Sequence, residues 1–515
     1  MFVKTFGSTV IGVKAMTITV EVNWNAQGKD YFIVGLPDSA VKESMRRVES
    51  AIKSGNYDMP RTKIVVNLAP ADVRKSGTAF DLPIAMGVLG ASEQLRCGEK
   101  LQDYLLMGEL SLDGEVRPIK GALPIAIQAR KDRFRGLILP WANAREAGMV
   151  SDLKVYGVKH LRDVIQFFEN DEKGLEATTV DVQQAFREKQ ECFDADFSDV
   201  RGQENIKRAL EIAAAGGHNL ILIGPPGAGK TMLARRLPSI LPPLTLAEAL
   251  ETTKIHSVAG KLPEQSSLIS TRPFRSPHHT ISDTALVGGG SIPVPGEISL
   301  AHHGVLFLDE LPEFKRSALE VMRQPMEERK VHISRTRTAV DFPASFMLVA
   351  SMNPCPCGYY NHPEKDCTCP PGMVQKYLNR ISGPLLDRID LQVEVTPVPF
   401  SELSTTSPGE NSRRIRERVI RARTVQQERF GGEDGLYANA QMSSRLLKTF
   451  CTLDASGSRL LKVAMEKLNL SARAYDRILK VSRTIADLAA TENIQPEHLA
   501  EAIQYRGLDR EQWGR

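Results

Sequence analysis

Residues 219–231 read N-L-I-L-I-G-P-P-G-A-G-K-T, a short apolar run followed by a glycine-rich loop that ends in lysine and threonine. A strand before such a loop and a helix after it complete the phosphate-binding loop pattern. The glycines let backbone N–H groups wrap phosphates, while Lys230 neutralises the outer phosphates and Thr231 supplies an oxygen to Mg²⁺. The pattern therefore predicts ATP and Mg²⁺ as cofactors. The residues predicted to contact the nucleotide are Gly224, Pro225, Pro226, Gly227, Ala228, Gly229, Lys230, Thr231 and Met232.

Two adjacent carboxylates follow a second apolar run, because residues 305–310 read V-L-F-L-D-E. A buried strand would deliver Asp309 to Mg²⁺ and Glu310 to the attacking water, which needs a carboxylate to orient and deprotonate it. The next apolar run, 346–350, ends near Asn353, where an amide would hydrogen-bond the γ-phosphate or the water. Taken alone, an asparagine before proline is more typical of a turn.

The rest of the chain predicts an α/β multidomain protein. A length of 515 residues exceeds the size at which one hydrophobic core stops growing. Residues 1–170 alternate β-rich and helical runs, which predicts a mixed α/β domain, and the charged segment 171–197 is interpreted as a linker. Residues 198–398 show the strand and helix order of an αβα domain with a parallel sheet. Residues 399–515 show only helical spacing, which predicts an all-helical lid.

Composition restricts the possible locations and partners. A net charge of +4 is too small to indicate a nucleic-acid binder by itself. The N-terminus lacks the pattern of a secretory signal, and no run approaches the roughly 18 apolar residues of a membrane span. The seven cysteines do not resemble a disulfide framework. We therefore expect a cytoplasmic protein with no membrane partner.

Four cysteines form two C-x-C pairs separated by nine residues. Four thiolates at this spacing can close around one ion, and tetrahedral sulfur coordination favours structural Zn²⁺. The C-x-C step is tighter than the usual C-x-x-C, His362 could replace one thiolate, and four reduced cysteines in a loop are the alternative. The predicted ligands are Cys355, Cys357, Cys367 and Cys369.

Two basic segments are candidates for contact with DNA. The first lies in a long insertion before Asp309, and loops of this length in compact domains are usually functional. The second, 329–337, reads R-K-V-H-I-S-R-T-R and alternates as a β-hairpin arm would. A solvated edge strand would show the same alternation. The predicted contacts are Arg275, His278, His279, Arg329, Lys330, Arg335 and Arg337. A further arginine run, 413–423, is better explained as a solvated or salt-bridged helix face.

The order of these motifs resembles the magnesium-chelatase-like branch of the AAA+ proteins and, more closely, the bacterial ComM/YifB family. The resemblance rests on residues 200–203, 224–231, 273–279, 304–311, 353–358, 382–390 and 470–488. It implies sensor roles for Asn353 and Arg473 and an arginine finger at Arg388. It also implies a homo-hexameric ring that acts on single-stranded and branched DNA, with recombination proteins as candidate partners. The implied activity is ATP hydrolysis coupled to helicase action, which drives branch migration during homologous recombination in natural transformation.

The N-terminal region resembles a Lon-protease-like domain that has lost its catalytic pair. Where a Lon protease carries its nucleophilic serine this chain has Ala79, and where it carries the partner lysine this chain has Leu123. A hydroxyl activated by an amine cannot be built from these side chains. Ser76 and Lys120 are near in sequence but out of register, so a scaffold or DNA-guiding role is expected. The alternative function for the whole chain is a chelatase-type or protein-remodelling AAA+ motor that acts on a protein partner.

Overall fold

A computed structural model of the chain describes residues 1–25, 28, 30–95, 99–188, 193, 195–263, 268–290, 292–335, 338–360, 362, 364–398, 409–431, 435–468 and 470–507. Of residues 187, 188, 335, 338 and 371 it describes the backbone alone. Within these ranges no helix combines the length and the apolar character that a membrane crossing requires.

A seven-stranded sheet organises the N-terminal region, with strand order β3-β4-β2-β1-β5-β8-β9. Its strands, together with the short β6–β7 hairpin, are β1 (Phe2–Ile11), β2 (Lys14–Asn25), β3 (Tyr31–Val34), β4 (Lys63–Ala69), β5 (Tyr104–Leu106), β6 (Glu109–Leu110), β7 (Val116–Arg117), β8 (Gly136–Pro140) and β9 (Lys154–Val158). The helices are α1 (Ser39–Ser54), α2 (Asp81–Ala91), α3 (Ala122–Lys131), α4 (Trp141–Ala147) and α5 (Leu161–Glu169). Every residue of α2 is buried, because it lies beneath the β1–β2 hairpin and the other helices. The predicted mixed α/β character is confirmed.

The segment interpreted as a linker packs against the N-terminal sheet along part of its length. It contains a short helix, α6 (Val182–Glu188). The Thr178 N–H donates to the Val155 carbonyl at 2.7 Å, and the side chains of Val182 and Phe186 cover the same core as α3. These contacts were not predicted, because only a few side chains of the segment make them and its apolar periodicity is low.

The central region is built on a five-stranded, all-parallel sheet with the order β11-β14-β17-β10-β18. The strands of this region are β10 (Leu220–Ile223), β11 (Phe274–Arg275), β12 (Gly288–Gly289), β13 (Val294–Pro295), β14 (Val305–Leu308), β15 (Lys330–Arg335), β16 (Thr338–Pro343), β17 (Met347–Met352) and β18 (Leu391–Glu394). The helices are α7 (Glu204–Gly216), α8 (Lys230–Ile240), α9 (Leu246–Ala259), α10 (Asp283–Val287), α11 (Glu297–Leu300), α12 (Arg316–Val321), α13 (Arg323–Glu328), α14 (Pro371–Leu378) and α15 (Gly383–Leu386).

Both faces of the parallel sheet are covered, which explains why its strands are apolar throughout. Leu220 and Leu222 of β10 face α7, α8 and the C-terminal helices. Ile221 and Ile223 face the opposite way, toward α12, α15 and the β15–β16 hairpin. The parallel-sheet architecture predicted from the sequence is therefore confirmed.

The C-terminal region is helical in its described part. Its helices are α16 (Ser412–Phe430), α17 (Ser444–Phe450), α18 (Ala455–Lys467), α19 (Ala472–Leu488) and α20 (Pro496–Gln504). The arginine-rich helix α16 is salt-bridged as expected, since Arg418 pairs with Glu211 and Glu410 while exposed Arg413 pairs with Glu417.

A buried carboxylate holds the helical lid to the sheet. Asp390 is 1% exposed, accepts the Asn219 N–H at 2.9 Å and lies 3.1 Å from Arg477 of α19. Burial raises the pKa of Asp390, but Arg477, His218 and the Asn219 N–H outweigh it and hold the pKa well below its usual range. The charged contacts of Asp390 therefore join the helical lid to the parallel sheet, in addition to the apolar core that the two have in common.

Contacts between the N-terminal region and the central region include two that lie far apart. The Gly121 N–H donates to the Ser257 carbonyl of α9 at 3.1 Å, and the Ser257 hydroxyl donates to half-buried Glu146. At the second place, a Cβ on Gly12, in the β1–β2 turn, would lie 2.6 Å from the side chain of Val340 in β16. The β1–β2 turn therefore packs against the basic hairpin.

Candidate functional site

The glycine-rich loop leads directly from β10 into α8. Gly227 and Gly229 have φ angles of +79° and +82°, in the left-handed region that favours glycine. A Cβ on Gly227 would meet no atom within 4 Å, so the concave side of the loop is open. Gly229 caps α8, so the first N–H groups of that helix lack intrahelical partners. Such a helix N-terminus binds phosphate, and exposed Met232 lies beside Gly229 at its rim.

The ammonium group of Lys230 lies inside this loop. Its Nζ donates to the carbonyl oxygens of Gly224 at 2.7 Å and Pro225 at 2.9 Å, and to Oδ1 of Asn353 at 3.1 Å. Burial lowers the pKa of Lys230, while the carboxylates of Asp309 and Glu310 oppose that shift. The structure therefore places Asn353, predicted from its position after a strand, against the phosphate-binding lysine.

A second cluster supplies oxygen ligands of the kind that Mg²⁺ prefers. The Thr231 hydroxyl donates to Oδ2 of Asp309 at 2.7 Å, and the Ser351 hydroxyl donates to Oδ1 of the same carboxylate. The parallel register of β14 and β17 pairs Leu308 with Ala350 and so sets Ser351 beside Asp309. Hydroxyl and carboxylate oxygens beside a phosphate loop fit Mg²⁺ bound with ATP. Ser351 was not predicted, because its role depends on strand register.

Glu310 extends from the same strand end with an unusual backbone. Its φ of +56° places it in the left-handed region, which is strained for a residue with a side chain. The Glu310 N–H donates to Oδ1 of Asp309 at 3.1 Å, which fixes this turn. The side chain is 57% exposed, and its Oε2 lies 3.4 Å from Nδ1 of His279. The Glu310 carboxylate is therefore accessible to solvent, and His279 is its ion-pair partner among the described residues.

The predicted arginine finger, Arg388, is held inside its own subunit. It is 6% exposed and its Nη2 lies 2.5 Å from a carboxylate oxygen of Glu327. Its carbonyl oxygen accepts from the amide of Asn219, which precedes β10, whereas the phosphate loop follows the other end of β10. Four strand residues span about 13 Å. Arg388 thus lies at the amino-terminal ends of the parallel strands, whereas the phosphate loop of the same chain lies at their carboxyl ends.

The predicted sensor Arg473 lies at the same edge. It stands in the first turn of α19, is 60% exposed and lies 3.7 Å from Asp387, the neighbour of Arg388 in the chain. Neither arginine adjoins Lys230 or Asp309. The roles of both arginines in catalysis remain predictions.

The predicted DNA-contacting residues divide into two groups. Arg275 is paired with Glu297 at 2.6 Å, and Arg329 is half-buried beside Arg477 and Asp390, so neither guanidinium is presented to solvent as a free contact. Burial lowers the pKa of Arg329 to about 10.

Two of the other predicted contacts lie at the surface. His278 and Lys330 are exposed. The predicted hairpin is confirmed, since β15 and β16 pair antiparallel from Lys330↔Pro343 to Arg335↔Thr338. Arg337 and the side chain of Arg335 lie outside the described residues. A Cβ on Gly288 would lie 3.1 Å from the side chain of Ile333, so the insertion hairpin β12–β13 packs beside this arm.

Four thiolates come together after Asn353. The Sγ atom of Cys355 lies 3.3 Å from that of Cys357 and 3.7 Å from that of Cys367, and all four ligand atoms, including Cys369, lie within 4.8 Å of one another. Adjacent sulfur atoms around tetrahedral zinc are separated by about 3.8 Å, given Zn–S bonds of about 2.3 Å. The four thiolates therefore fit Zn²⁺. The Nδ1 of His362 accepts N–H groups from Glu364 and Lys365, and His362 is not part of the set.

The cysteine loop packs on the phosphate-binding loop. Gly358, with φ of +84°, sits so close to Pro226 that a Cβ on Gly358 would lie 2.5 Å from the proline ring. Asn353, which precedes the first cysteine, touches Lys230 from the other side. The cluster thus stands against two elements of the nucleotide site in the same subunit.

Ala79 and Leu123, the positions compared above with a protease nucleophile and its partner, carry no reactive group. Leu123 is buried, and its N–H donates to the carboxylate of Glu146 at 2.8 Å. Lys120 packs against Gly260 of the central region. A Cβ on Gly260 would lie 2.8 Å from the Lys120 side chain. Ala79 packs in the apolar core. The scaffold role of this region stays a prediction.

Comparison with known proteins gives a consistent result along the chain. Family models match residues 196–403 (magnesium chelatase, subunit ChlI), 20–143 (subunit ChlI of Mg-chelatase) and 409–506 (magnesium chelatase, subunit ChlI C-terminal). Competence protein ComM of Haemophilus influenzae is 46% identical over 97% of this chain and 96% of its own length. YifB of Escherichia coli K12 is 46% identical over the same shares. Lon protease 2 of Bacillus subtilis is 33% identical over 27% of this chain and 26% of its own length.

Proposed function

This chain belongs to the ComM/YifB family of magnesium-chelatase-like AAA+ ATPases, and from that premise we propose that it is a homo-hexameric, ATP-driven DNA translocase. Its activity is branch migration of DNA during homologous recombination in natural transformation. The observation that carries the proposal is the assembled set Lys230, Thr231, Asp309 and Asn353, with Glu310 beside it. These residues belong to distant parts of the sequence, so a merely structural glycine turn would not bring them together.

Each residue of the nucleotide site has a distinct proposed role. Lys230 and the N–H groups at the start of α8 bind the phosphates, and Thr231 and Asp309 hold Mg²⁺, which neutralises charge on the transferred phosphoryl group when bound. Glu310 orients the attacking water and accepts its proton. Asn353 binds the γ-phosphate or that water.

The two arginines are proposed to act on a neighbouring subunit. Arg388 and Arg473 lie at the sheet edge opposite their own phosphate loop. A head-to-tail ring brings that edge of one subunit to the phosphate loop of the next. Arg388 would then leave Glu327 and bind the γ-phosphate of the ATP in the neighbouring subunit. Hydrolysis would therefore depend on assembly of the ring.

Single-stranded and branched DNA would run past the basic hairpin in the ring's centre. Exposed Lys330, together with Arg335 and Arg337, which follow it in the sequence, would bind DNA phosphates, and neutralising the phosphates releases counterions. The β1–β2 turn of the N-terminal domain packs on β16 through Gly12 and Val340. That domain, a degenerate Lon-like scaffold in this proposal, would brace the DNA-contacting arm.

ATPase assays with and without DNA test the proposal. We expect single-stranded or forked DNA to raise the steady-state ATPase rate and the protein to displace a paired strand from a fork. Replacing Arg335 and Arg337 with alanine should remove both effects and leave the DNA-free rate intact. The matched control is the Arg413→Ala/Arg414→Ala variant, because these exposed arginines of α16 lie outside the proposed DNA path.

Two outcomes would overturn this proposal. One is an ATPase rate indifferent to every form of DNA together with stimulation by a partner protein, which would favour a chelatase-type or protein-remodelling motor. The other is equal loss of stimulation in the control variant, which would show that any two surface arginines suffice.

We also propose that Cys355, Cys357, Cys367 and Cys369 hold one structural Zn²⁺. The close sulfur distances and the burial of Cys355 support this set. When bound, zinc would fix the loop that packs on Pro226 and follows Asn353.

Removal of zinc should therefore weaken ATP binding and ring assembly. After chelation, or in a Cys355→Ser/Cys357→Ser variant, we expect the KM for ATP to rise about tenfold, which corresponds to about 1.4 kcal/mol. Metal analysis, ATPase assays and sizing chromatography provide the measurements. Cys451→Ala, which removes a lone buried thiol of the lid, should retain one zinc per chain. Unchanged hydrolysis and hexamer formation after verified zinc loss would refute this prediction.

A further inference from the structure

A polar cavity lies between the helical lid and the amino-terminal ends of the parallel strands. Its volume of about 110 Å³ is several times the space that one water molecule needs. The wall includes Gly304, which precedes β14, and Met347, the first residue of β17. The lid contributes Arg423 and Gln427 of α16. Because the phosphate loop lies at the carboxyl ends of the strands, this cavity is separate from the nucleotide site.

Arg423 brings a positive charge to this cavity without a carboxylate partner. Among the described residues, its Nη1 donates to the Tyr437 carbonyl at 2.8 Å and its Nη2 to the Ala214 carbonyl at 3.1 Å. Its Nε is buried and has no hydrogen-bond partner in the same part of the chain. A buried N–H of a charged group that lacks an acceptor costs stability, because its desolvation is not offset. Arg423 therefore calls for an acceptor inside the cavity.

The one carboxylate among the described residues that line the cavity is already engaged. Glu248 lies 3.3 Å from Nη2 of Arg272 and 3.5 Å from Nδ1 of His303, and it accepts the Thr245 N–H at 2.8 Å. Arg272 is itself fixed, since it also donates to the Pro242 carbonyl at 2.6 Å. Two guanidinium groups therefore face a single carboxylate.

The pKa of Arg423 agrees with this excess of positive charge. Burial is the largest cause that lowers its pKa, to about 9, and the nearby cations Arg272 and Arg329 lower it as well, whereas Glu248 opposes the shift. Arg423 still carries its charge at neutral pH. A bound anion would offset that charge, as a carboxylate does for most buried cations.

Neutral donors near Arg423 suit the oxygen atoms of a phosphate group. Oε1 of Gln441 accepts the N–H groups of Tyr437 and Ala438, the latter at 3.2 Å, which leaves its amide N–H groups for a ligand. Gln427 is exposed and adds a second amide to the wall. Guanidinium and amide N–H groups match phosphate oxygens, whereas pockets for larger organic ligands start at roughly 300 Å³.

We propose that this cavity binds one tetrahedral oxyanion of the phosphate class, held by Arg423 and Gln441, with Arg272 adding positive charge from the opposite wall. Arg423 and Gln441 belong to the lid, and Arg272 belongs to the central region, so the ion joins the two regions. The ion is either free inorganic phosphate or the terminal phosphate group of a larger ligand. This site is independent of the proposed action on DNA.

Isothermal titration of the full-length protein with inorganic phosphate tests the site, with chloride at equal ionic strength as the reference. We expect the Kd for phosphate at this site to rise about tenfold or more in Arg423→Gln, the effect of one lost hydrogen bond from a charged group. Arg421→Gln removes an exposed arginine of the same helix and is the matched control, so it should bind as wild type does. Lys230→Ala should retain this binding, because it alters only the phosphate loop.

A second variant keeps the test decisive if Arg423→Gln does not fold. Gln427→Glu places a carboxylate at the cavity wall from an exposed position, so it should abolish phosphate binding by repulsion and leave the fold intact. Thr424→Glu adds the same charge at an exposed position of α16 outside the cavity, and it should bind phosphate as wild type does.

Titration with glycerol 3-phosphate distinguishes the two sources of the ion. Binding of inorganic phosphate alone would identify the free ion, and binding of both would identify a terminal phosphate group; either result supports the site. The inference would be overturned if wild-type protein binds no phosphate, or binds it no better than chloride. It would also fail if binding persists in Arg423→Gln and Gln427→Glu, or is lost only in Lys230→Ala, which would assign the ion to the phosphate loop.

Discussion

A Glu310→Gln variant is expected to bind ATP with Mg²⁺ at wild-type affinity and to hydrolyse it about a thousandfold more slowly, since general-base catalysis contributes on that scale. The amide keeps the size of the side chain but cannot accept a proton from water. Binding should survive because the phosphate contacts come from Lys230 and the start of α8. Single-turnover ATPase assays and nucleotide titration measure the two effects separately.

The matched control is Glu313→Gln, which alters an exposed carboxylate three residues away that pairs with Arg380. It should retain the wild-type rate. A loss of less than tenfold in Glu310→Gln would assign the water-orienting role to another group, and loss of ATP binding would indicate that the substitution distorts the left-handed turn at Glu310.

Replacement of Arg388 with alanine is expected to reduce kcat about a thousandfold, because an arginine finger contributes at least that much to phosphoryl transfer. ATP binding should persist, since Arg388 lies across the sheet from the phosphate loop of its own subunit. Arg388→Ala also leaves Glu327 without its partner, but that carboxylate is half exposed, so folding should survive.

Melting and sizing experiments check that the Arg388→Ala variant keeps its fold and forms the proposed hexamer. Arg380→Ala is the matched control, because Arg380 is an exposed arginine of the same segment that pairs with Glu313. Should Arg388→Ala hydrolyse ATP at the wild-type rate, the finger must be another residue, and exposed Arg473 is the next candidate.

The parts of the site that follow from neighbours in sequence could be predicted. The phosphate loop, the strand that ends in Asp309 and the cysteine pairs are local patterns. Each pattern indicates one type of binding site when the predicted elements around it match. The structure brings Lys230 and Asn353, each of which follows a strand, within hydrogen-bond distance.

Contacts that join distant segments could not be read in this way. Ser351 reaches Asp309 through the register of two strands, and a slip of one residue would turn its side chain to the other face. The pairing of Arg275 with Glu297 and the burial of Arg329 depend on how the insertion and lid fold back. A basic residue in sequence therefore indicated charge but did not show whether that charge is already neutralised.

The packing between regions was also beyond sequence patterns. The contact of Gly12 with Val340 links the first turn of the chain to a hairpin more than 300 residues away. The apolar side chains that serve such a contact are few, and they look the same as those of an internal core. The N-terminal region could thus be predicted as an α/β domain, but its contact with the β15–β16 hairpin could not.

Mixing two inactive variants tests most directly whether neighbouring subunits share the nucleotide site. Lys230→Ala lacks the lysine that binds the phosphates, and Arg388→Ala lacks the arginine finger, so each variant alone should be inactive. In rings mixed randomly at equal concentrations, about a quarter of the interfaces would join a subunit with intact Lys230 to a neighbour with intact Arg388. The account predicts recovery of about that share of wild-type ATPase activity upon mixing; a mixture that stays inactive although mixed rings form, or an Arg388→Ala monomer that hydrolyses ATP unaided, would contradict it.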